Sequence, residues 1–186
     1  MAEQVNTGGR RGNPWITAAW ITVTAVLLLT PLIAMQFTDE VNWTVSDFAF
    51  AGMMLVGSGI IYELAARAGN LAYQAAVVAA LGTGVLIMWT TGAVGIIGSE
   101  ANPGNLLFVA VVPIAIAGAI VARGRAGAMV WAMVAAAVAT LLAPVIAYAG
   151  VANPTSEVLT PEVFAATGVF VIGWLLAAVL FRRSVR

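Results

Sequence analysis

Residues 67–125 read RAGNLAYQAAVVAALGTGVLIMWTTGAVGIIGSEANPGNLLFVAVVPIAIAGAIVARGR, and they show how the whole 186-residue chain is organised. Two long apolar runs lie between arginines, and the charged residue that separates them is Glu100. Each run is close to the roughly 20 residues that a helix needs to cross the hydrocarbon core of a bilayer. Because arginine is retained on the cytoplasmic side, both ends belong there. The stretch is typical of two membrane-spanning helices whose connecting turn faces outward.

The same pattern extends in both directions along the chain. Apolar runs at 15–37, 45–66, 71–97, 106–122, 129–149 and 163–181 predict six helices, because backbone in lipid must satisfy its own hydrogen bonds. If the six helices cross the membrane in alternating directions, every basic residue lies on the same side of it. These residues are Arg10, Arg11, Arg67, Arg123, Arg125, Arg182, Arg183 and Arg186. The sequence therefore predicts an all-α polytopic membrane protein, a six-helix transmembrane bundle with both termini in the cytoplasm.

Two features of the N-terminal region bear on the domain organisation. Residues 1–12 are polar and are predicted to form a tail, and residues 13–186 are predicted to form a single transmembrane domain. A cleaved signal peptide is the alternative interpretation of the first apolar run. It is disfavoured because the apolar part of a signal peptide usually has 7–15 residues, and the run at 15–37 is longer.

The composition excludes several classes of function. Hydrophobic residues make up 62% of the chain and charged residues 9%, against roughly 25% charged in a soluble domain. The net charge is zero, which argues against nucleic acid as a partner. Histidine, cysteine and lysine are missing, which removes an imidazole base, thiolate iron–sulfur clusters, disulfides and a retinal Schiff base. No cofactor is expected.

The second helix carries two carboxylates, Asp47 and Glu63, that need an explanation. They are separated by about 22 Å of helix, less than the ~30 Å hydrocarbon core, so at least one lies at or just below the headgroups. Acids at this depth are candidates for proton or cation binding. The alternative is structural: Thr44 to Asp47 resembles a capping box, and Glu63 with Arg67 forms an i,i+4 ion pair. The structural interpretation has more support.

The outer loop after the third helix offers a second group of oxygen ligands. Ser99, Glu100, Asn102 and Asn105 follow at short spacing, and together with Asp47 they are suited to a hard cation such as Ca²⁺. The alternative, which we favour, is a turn followed by a cap of the fourth helix at Asn102 or Asn105. The predicted cation and proton candidates are Asp47, Glu63, Glu100, Asn102 and Asn105, and the sequence leaves the metal unknown.

Parts of the chain resemble a group of small uncharacterised bacterial multi-pass inner-membrane proteins. The resemblance is carried by Asn42-Trp43-Thr44 with Asp47-Phe48, by Tyr62-Glu63-Leu64, and by Gly95-Ile96-Ile97-Gly98-Ser99-Glu100 with Asn102-Pro103. It covers roughly residues 42–125. The resemblance implies a bacterial inner membrane and no particular activity.

These observations lead to three hypotheses about function. The first is a non-enzymatic accessory, assembly or packing component, whose partners are membrane lipids and either further copies of itself or other membrane protein subunits. The second is a small cation- or solute-conducting transporter or channel that uses the outer carboxylates. An enzyme acting on lipids comes third, because only carboxylates and hydroxyls remain as catalysts.

Overall fold

A computed structural model describes residues 14–39, 41–68, 70–151 and 155–185. Throughout these ranges the regular structure is helical and strands are absent, which confirms the all-α prediction. Six α-helices occur in chain order: α1 Pro14–Ala34, α2 Val45–Ala68, α3 Leu71–Ala93, α4 Asn105–Ala122, α5 Ala126–Ile146 and α6 Pro161–Ser184. The whole predicted tail, residues 1–12, lies outside the described residues.

The helices have the length and composition of membrane spans. Five segments are long and apolar enough to cross a bilayer, namely Val45–Ala66, Leu71–Ala93, Asn105–Ala122, Ala126–Gly150 and Pro161–Ser184. A sixth, Ala18–Ala34, is apolar and shorter. These helices fit an integral membrane protein that crosses the bilayer several times.

Two helices end earlier than the sequence predicts, whereas the fifth, whose α-helical part stops at Ile146, continues as a π-helix over Ala147–Val151. The first stops at Ala34 and not at Phe37, and the third stops at Ala93 and not at Ile97. The predicted end of α3 is wrong because Gly95 takes φ +76°, a left-handed conformation that turns the chain out of the helix. The apolar residues that follow belong to a loop.

The chain separates into two compact units, Met1–Ala68 and Gly69–Arg186. We call the first the hairpin unit, because its described helices are the antiparallel pair α1 and α2. Trp20 lies across this pair and donates from its indole Nε1 to the carbonyl oxygen of Leu55 at 3.0 Å. Gly59 lies directly beneath that indole, where a Cβ atom would collide with it. Close approach at a glycine is how helices associate in lipid.

The second unit, which we call the four-helix unit, contains α3 to α6. α6 packs against both α3 and α5, and α5 also packs against α4. Its core is filled by large side chains with almost no exposure, namely Trp174, Phe108, Phe170 and Phe181. Small residues complete the packing: a Cβ atom at Gly173 would collide with the hydroxyl of Thr83. Dispersion contacts of this kind, and not the hydrophobic effect, hold helices together in a bilayer.

One end of the four-helix unit carries the arginines that follow α4 and end α6, and we call it the arginine end. Polar side chains join three segments here. The side chain of Asn70 caps α3 by accepting from the Tyr73 amide at 3.0 Å, and it donates to the Ser184 carbonyl at 3.0 Å. The Tyr73 hydroxyl donates to the Gly124 carbonyl at 2.9 Å. These bonds tie the start of α3 to the end of α6 and to the α4–α5 turn.

Candidate functional site at the loop end of the four-helix unit

The opposite end of this unit, which we call the loop end, is organised by one buried amide. Asn105 is the first residue of α4 and is only 2% exposed. Its Oδ1 accepts from the amides of Ile96 at 2.9 Å and Ile97 at 2.8 Å. Its Nδ2 donates to the carbonyls of Ser99 at 2.8 Å and Ile97 at 3.3 Å. An asparagine side chain offers two donors and two acceptor sites, so this one is fully used.

The loop that Asn105 holds turns inward. Ile96 and Ile97 are buried, and they lie between two glycines with positive φ, Gly95 at +76° and Gly98 at +59°. The buried backbone amides of Ile96 and Ile97 need hydrogen-bond partners, and no helix continues here to provide them. The side-chain amide of Asn105 provides these partners instead. The segment closes the end of the unit as an apolar plug.

A second asparagine joins this loop to the loop between α5 and α6. Asn102 is 5% exposed; its Oδ1 accepts from the Gly104 amide at 3.0 Å, and its Nδ2 donates to Oε2 of Glu157 at 3.0 Å. The carboxylate of Glu157 also lies against Gly98, where a Cβ atom would collide with it. Sequence reasoning missed Glu157 as a member of this cluster, because its partner is 55 positions away and no local pattern relates them.

The five predicted candidates fall at three different places. Asn102 and Asn105 meet in the plug, whereas Glu100 is exposed at its surface. Both acceptor sites of Asn105 are used by amides, so a cation there would have to displace two hydrogen bonds. In the part of the chain that the structure describes, no three carboxylates are grouped in a way that could hold a metal ion. Cation binding stays a prediction, and the geometry favours the structural interpretation.

The start of α4 differs in detail from the turn and asparagine cap that the sequence predicts. Gly104, and not an asparagine, holds the N-cap position of α4, and no side chain caps the helix there. Asn105 reaches back to the preceding loop instead of forward to the helix amides. The turn is therefore as predicted, and the cap is not.

Asp47 belongs to the hairpin unit and begins α2. Oδ2 of Asp47 accepts from the Thr44 amide at 2.7 Å and from the Thr44 hydroxyl at 2.8 Å. The Asp47 amide in turn reaches the Thr44 hydroxyl at 3.4 Å. This reciprocal pair is the capping box that the sequence predicts, and it satisfies amides at the start of a helix that have no partner within it.

Glu63 also belongs to the hairpin unit, near the end of α2. It is half-buried, and its predicted partner Arg67 has a side chain outside the described residues. Glu63 is one of the residues that line a groove of about 360 Å³ between α1 and α2, which we call the hairpin groove. Trp20 and Ala25 contribute to its α1 wall, and Val56 and Gly59 to its α2 wall.

Polar side chains inside the helices are few, and some of them bond only within their own helix. Thr83 and Thr140 are buried, and each hydroxyl donates to the carbonyl four residues earlier at 2.8 Å. The hydroxyls of Thr91 and Thr167 and the indole nitrogen of Trp174 are buried and find no hydrogen-bond partner among the described residues. The two back-bonded threonines donate their hydroxyl hydrogens within their own helices, so they do not form a chain of polar groups between helices.

Comparison of the chain with protein-family models, with curated proteins and with solved structures finds no match.

Proposed function

We propose that this chain is a non-enzymatic component of the bacterial inner membrane that works by packing against other transmembrane helices. Those helices belong to further copies of the chain or to other membrane protein subunits, with lipid as the surrounding partner. The observation that carries the proposal is an exposed face of α3, described next. The arginine distribution and the resemblance to bacterial membrane proteins support the choice of membrane and the cytoplasmic position of the arginine end.

The face in question, which we call the α3 stripe, follows helical spacing along the whole helix. Its members are exposed and follow one another at steps of three or four residues: Leu71, Ala75, Val78, Gly82, Leu86, Trp89 and Ala93. Steps of three and four residues keep these side chains on one face of the helix, where a second helix can pack against them. The stripe therefore has the pattern of a helix–helix contact.

Gly82 is the feature of the α3 stripe that favours a protein partner. A Cβ atom at Gly82 would meet nothing within 4 Å. On the buried side of the same helix, by contrast, Gly84 faces Trp174, whose ring would lie 3.8 Å from an added Cβ atom. Glycine within a helix costs about 1 kcal/mol relative to alanine, and in membranes its use is to let a second backbone approach closely. The absence of a side chain at this exposed position leaves room for the backbone of a second helix to approach α3 closely.

The helix interiors give less support to the alternative, a cation- or solute-conducting channel. In the described ranges, the charged side chains within helices lie in the first or last two turns, as Asp47, Glu63 and Glu162 do. The core between them is aromatic and aliphatic, and the hydroxyls of Thr83 and Thr140 are bound to their own helices. A conducting path needs a lining of polar groups that face one another.

The proposal is tested by placing a large side chain at Gly82, where it would block the approach of a second helix. Two differently tagged copies of the full chain are expressed together, and the membranes are solubilised and purified on one tag. We expect recovery of a defined homo-oligomer or a stoichiometric partner. Gly82→Ile should reduce that recovery about tenfold, because overpacking a tight contact costs roughly 1–3 kcal/mol.

The matched control is Gly168→Ile in α6. A Cβ atom at Gly168 also meets nothing within 4 Å, but this glycine lies outside the α3 stripe. The control should leave association unchanged. Recovery of wild-type protein as a lone monomer in native lipid would contradict the proposal, as would equal recovery of Gly82→Ile and wild type.

A further inference from the structure

The arginine end of the four-helix unit carries two pairs of arginines on different segments. Arg123 and Arg125 lie in the turn between α4 and α5, and Arg182 and Arg183 lie in the last turn of α6. All four side chains are exposed. Arg123 also takes φ +51°, a left-handed conformation that glycine or asparagine usually adopts at the end of a helix. The turn alone would therefore favour a residue other than arginine at this position.

One side chain, that of Tyr73, joins the two segments that carry these pairs. Its hydroxyl donates to the carbonyl of Gly124, the residue between the first two arginines, at 2.9 Å. Its ring meets the ring of Phe181, the residue that precedes the second pair, edge to face with the centroids 5.1 Å apart. The two pairs therefore flank contacts of the same tyrosine, within reach of a single lipid headgroup.

The carboxylates in the described part of the four-helix unit all lie at the loop end, away from these arginines. They are Glu100, Glu157 and Glu162. Glu162 begins α6 and Arg182 ends it, and the 20 positions between them correspond to about 30 Å of helix. This length is several times the Debye length of about 8 Å at physiological ionic strength, so these carboxylates do not neutralise the arginines. The arginine end is a positively charged patch.

Exposed apolar side chains begin within one turn of the arginines. Ile120 and Val121 precede Arg123 on α4, and both are exposed. Val179 lies three residues before Arg182 on α6 and is also exposed. Exposed apolar side chains on membrane spans contact the hydrocarbon of the bilayer. A ligand with phosphate at the surface and acyl chains beneath it therefore fits this end of the unit.

We propose that the arginine end binds one phospholipid that carries two phosphates, of the diphosphatidylglycerol type, with one phosphate at each pair of arginines. Guanidinium groups bind phosphate oxygens in a bidentate way, and basic pockets between transmembrane helices bind such headgroups. Two phosphates on one molecule bind more tightly than two separate lipids, because the second contact is made at a high effective concentration. The site rests on the membrane location proposed above but not on helix association, since one copy of the chain contains all of it.

The test is competition among three lipids for the full chain. Protein in nanodiscs that contain equal amounts of phosphatidylcholine, phosphatidylglycerol and diphosphatidylglycerol is released in the gas phase, and retained lipids are counted by native mass spectrometry. We expect one retained diphosphatidylglycerol, preferred roughly tenfold or more over phosphatidylglycerol. Inorganic phosphate added in excess should not displace it, because the acyl chains contribute to binding. Displacement would indicate a site for free phosphate and would contradict the proposal.

Removing either pair of arginines should leave a site for one phosphate only. The double variant Arg123→Gln with Arg125→Gln, and separately Arg182→Gln with Arg183→Gln, should each lower retention of diphosphatidylglycerol by roughly tenfold. Retention should then equal that of phosphatidylglycerol, because the remaining pair binds one phosphate of either lipid. A simple attraction of anionic lipid to positive charge would instead lower the retention of both lipids together.

The matched control is the double variant Ser99→Glu with Ser156→Glu. It lowers the net charge of the chain by the same amount, at two exposed positions of the loop end. The control should keep the preference for diphosphatidylglycerol. Equal retention of the two anionic lipids by wild type, an unchanged preference in either arginine variant, or the same loss in the control would overturn the proposal.

Discussion

Asn105→Ala should destabilise the four-helix unit far more than an ordinary surface substitution would. The change removes the acceptor for the buried amides of Ile96 and Ile97 and the donor to the Ser99 carbonyl. A buried polar group left without its partner costs roughly 1–3 kcal/mol. Two unsatisfied amides alone give a loss of about 4 kcal/mol in the free energy of unfolding, which is a large part of the 5–15 kcal/mol typical of a whole domain.

The loss is measured by reversible unfolding of the full chain in mixed micelles as the fraction of denaturing detergent rises, followed by tryptophan fluorescence. Asn70→Ala is the matched control, because Asn70 also makes two kinds of bond to backbone but is exposed. We expect it to cost about 1 kcal/mol. Asn105→Asp keeps the acceptor but turns a second carboxylate oxygen toward the Ser99 carbonyl, so it should also be strongly destabilising. Equal losses for Asn105→Ala and Asn70→Ala would refute the view that a buried amide organises the loop.

Three further predictions concern single contacts and are checked by the same unfolding measurement. Gly98→Ala should cost more than about 1 kcal/mol, because the residue has φ +59° and the new methyl group would collide with the Glu157 carboxylate; no loss would contradict that contact. Trp20→Phe should cost about 1 kcal/mol or more, since it removes the hydrogen bond to Leu55 and part of the ring that covers the α2 backbone; an unchanged stability would mean that this bond contributes nothing. Thr140→Val should change stability by less than about 1 kcal/mol, because the hydroxyl serves only its own helix; a loss of several kcal/mol would indicate a partner on another helix.

The sequence predicts the helices well because an apolar segment in lipid satisfies its backbone hydrogen bonds by forming a helix. An apolar run long enough to span becomes a helix whatever its finer pattern, and charges mark where each run stops. Local signals are also recoverable: Thr44 and Asp47 are three positions apart, and their capping box follows from that spacing. Hydropathy and local spacing therefore account for the architecture and for the start of α2.

The loop end could not be predicted in the same way. Ile96 and Ile97 are apolar, so hydropathy extends α3 through them, whereas the turn depends on the φ of Gly95 and on an amide at Asn105 that captures their N–H groups. The contact between Asn102 and Glu157 joins two loops that are distant in sequence. Neither contact is marked in the sequence by a periodic pattern or a motif, because each depends on which helix ends become neighbours after packing.

The central claim, a membrane-embedded chain whose arginine end faces the cytoplasm and whose loop end faces outward, is tested most directly by labelling single cysteines in intact cells. The chain contains no cysteine, so Ser99→Cys and Gly127→Cys each introduce one thiol, both at exposed positions. The account predicts that a membrane-impermeant maleimide reacts with the cysteine at position 99 in intact cells, and with that at 127 only after the membrane is opened. Labelling at position 127 before opening, with protection at 99, would contradict it.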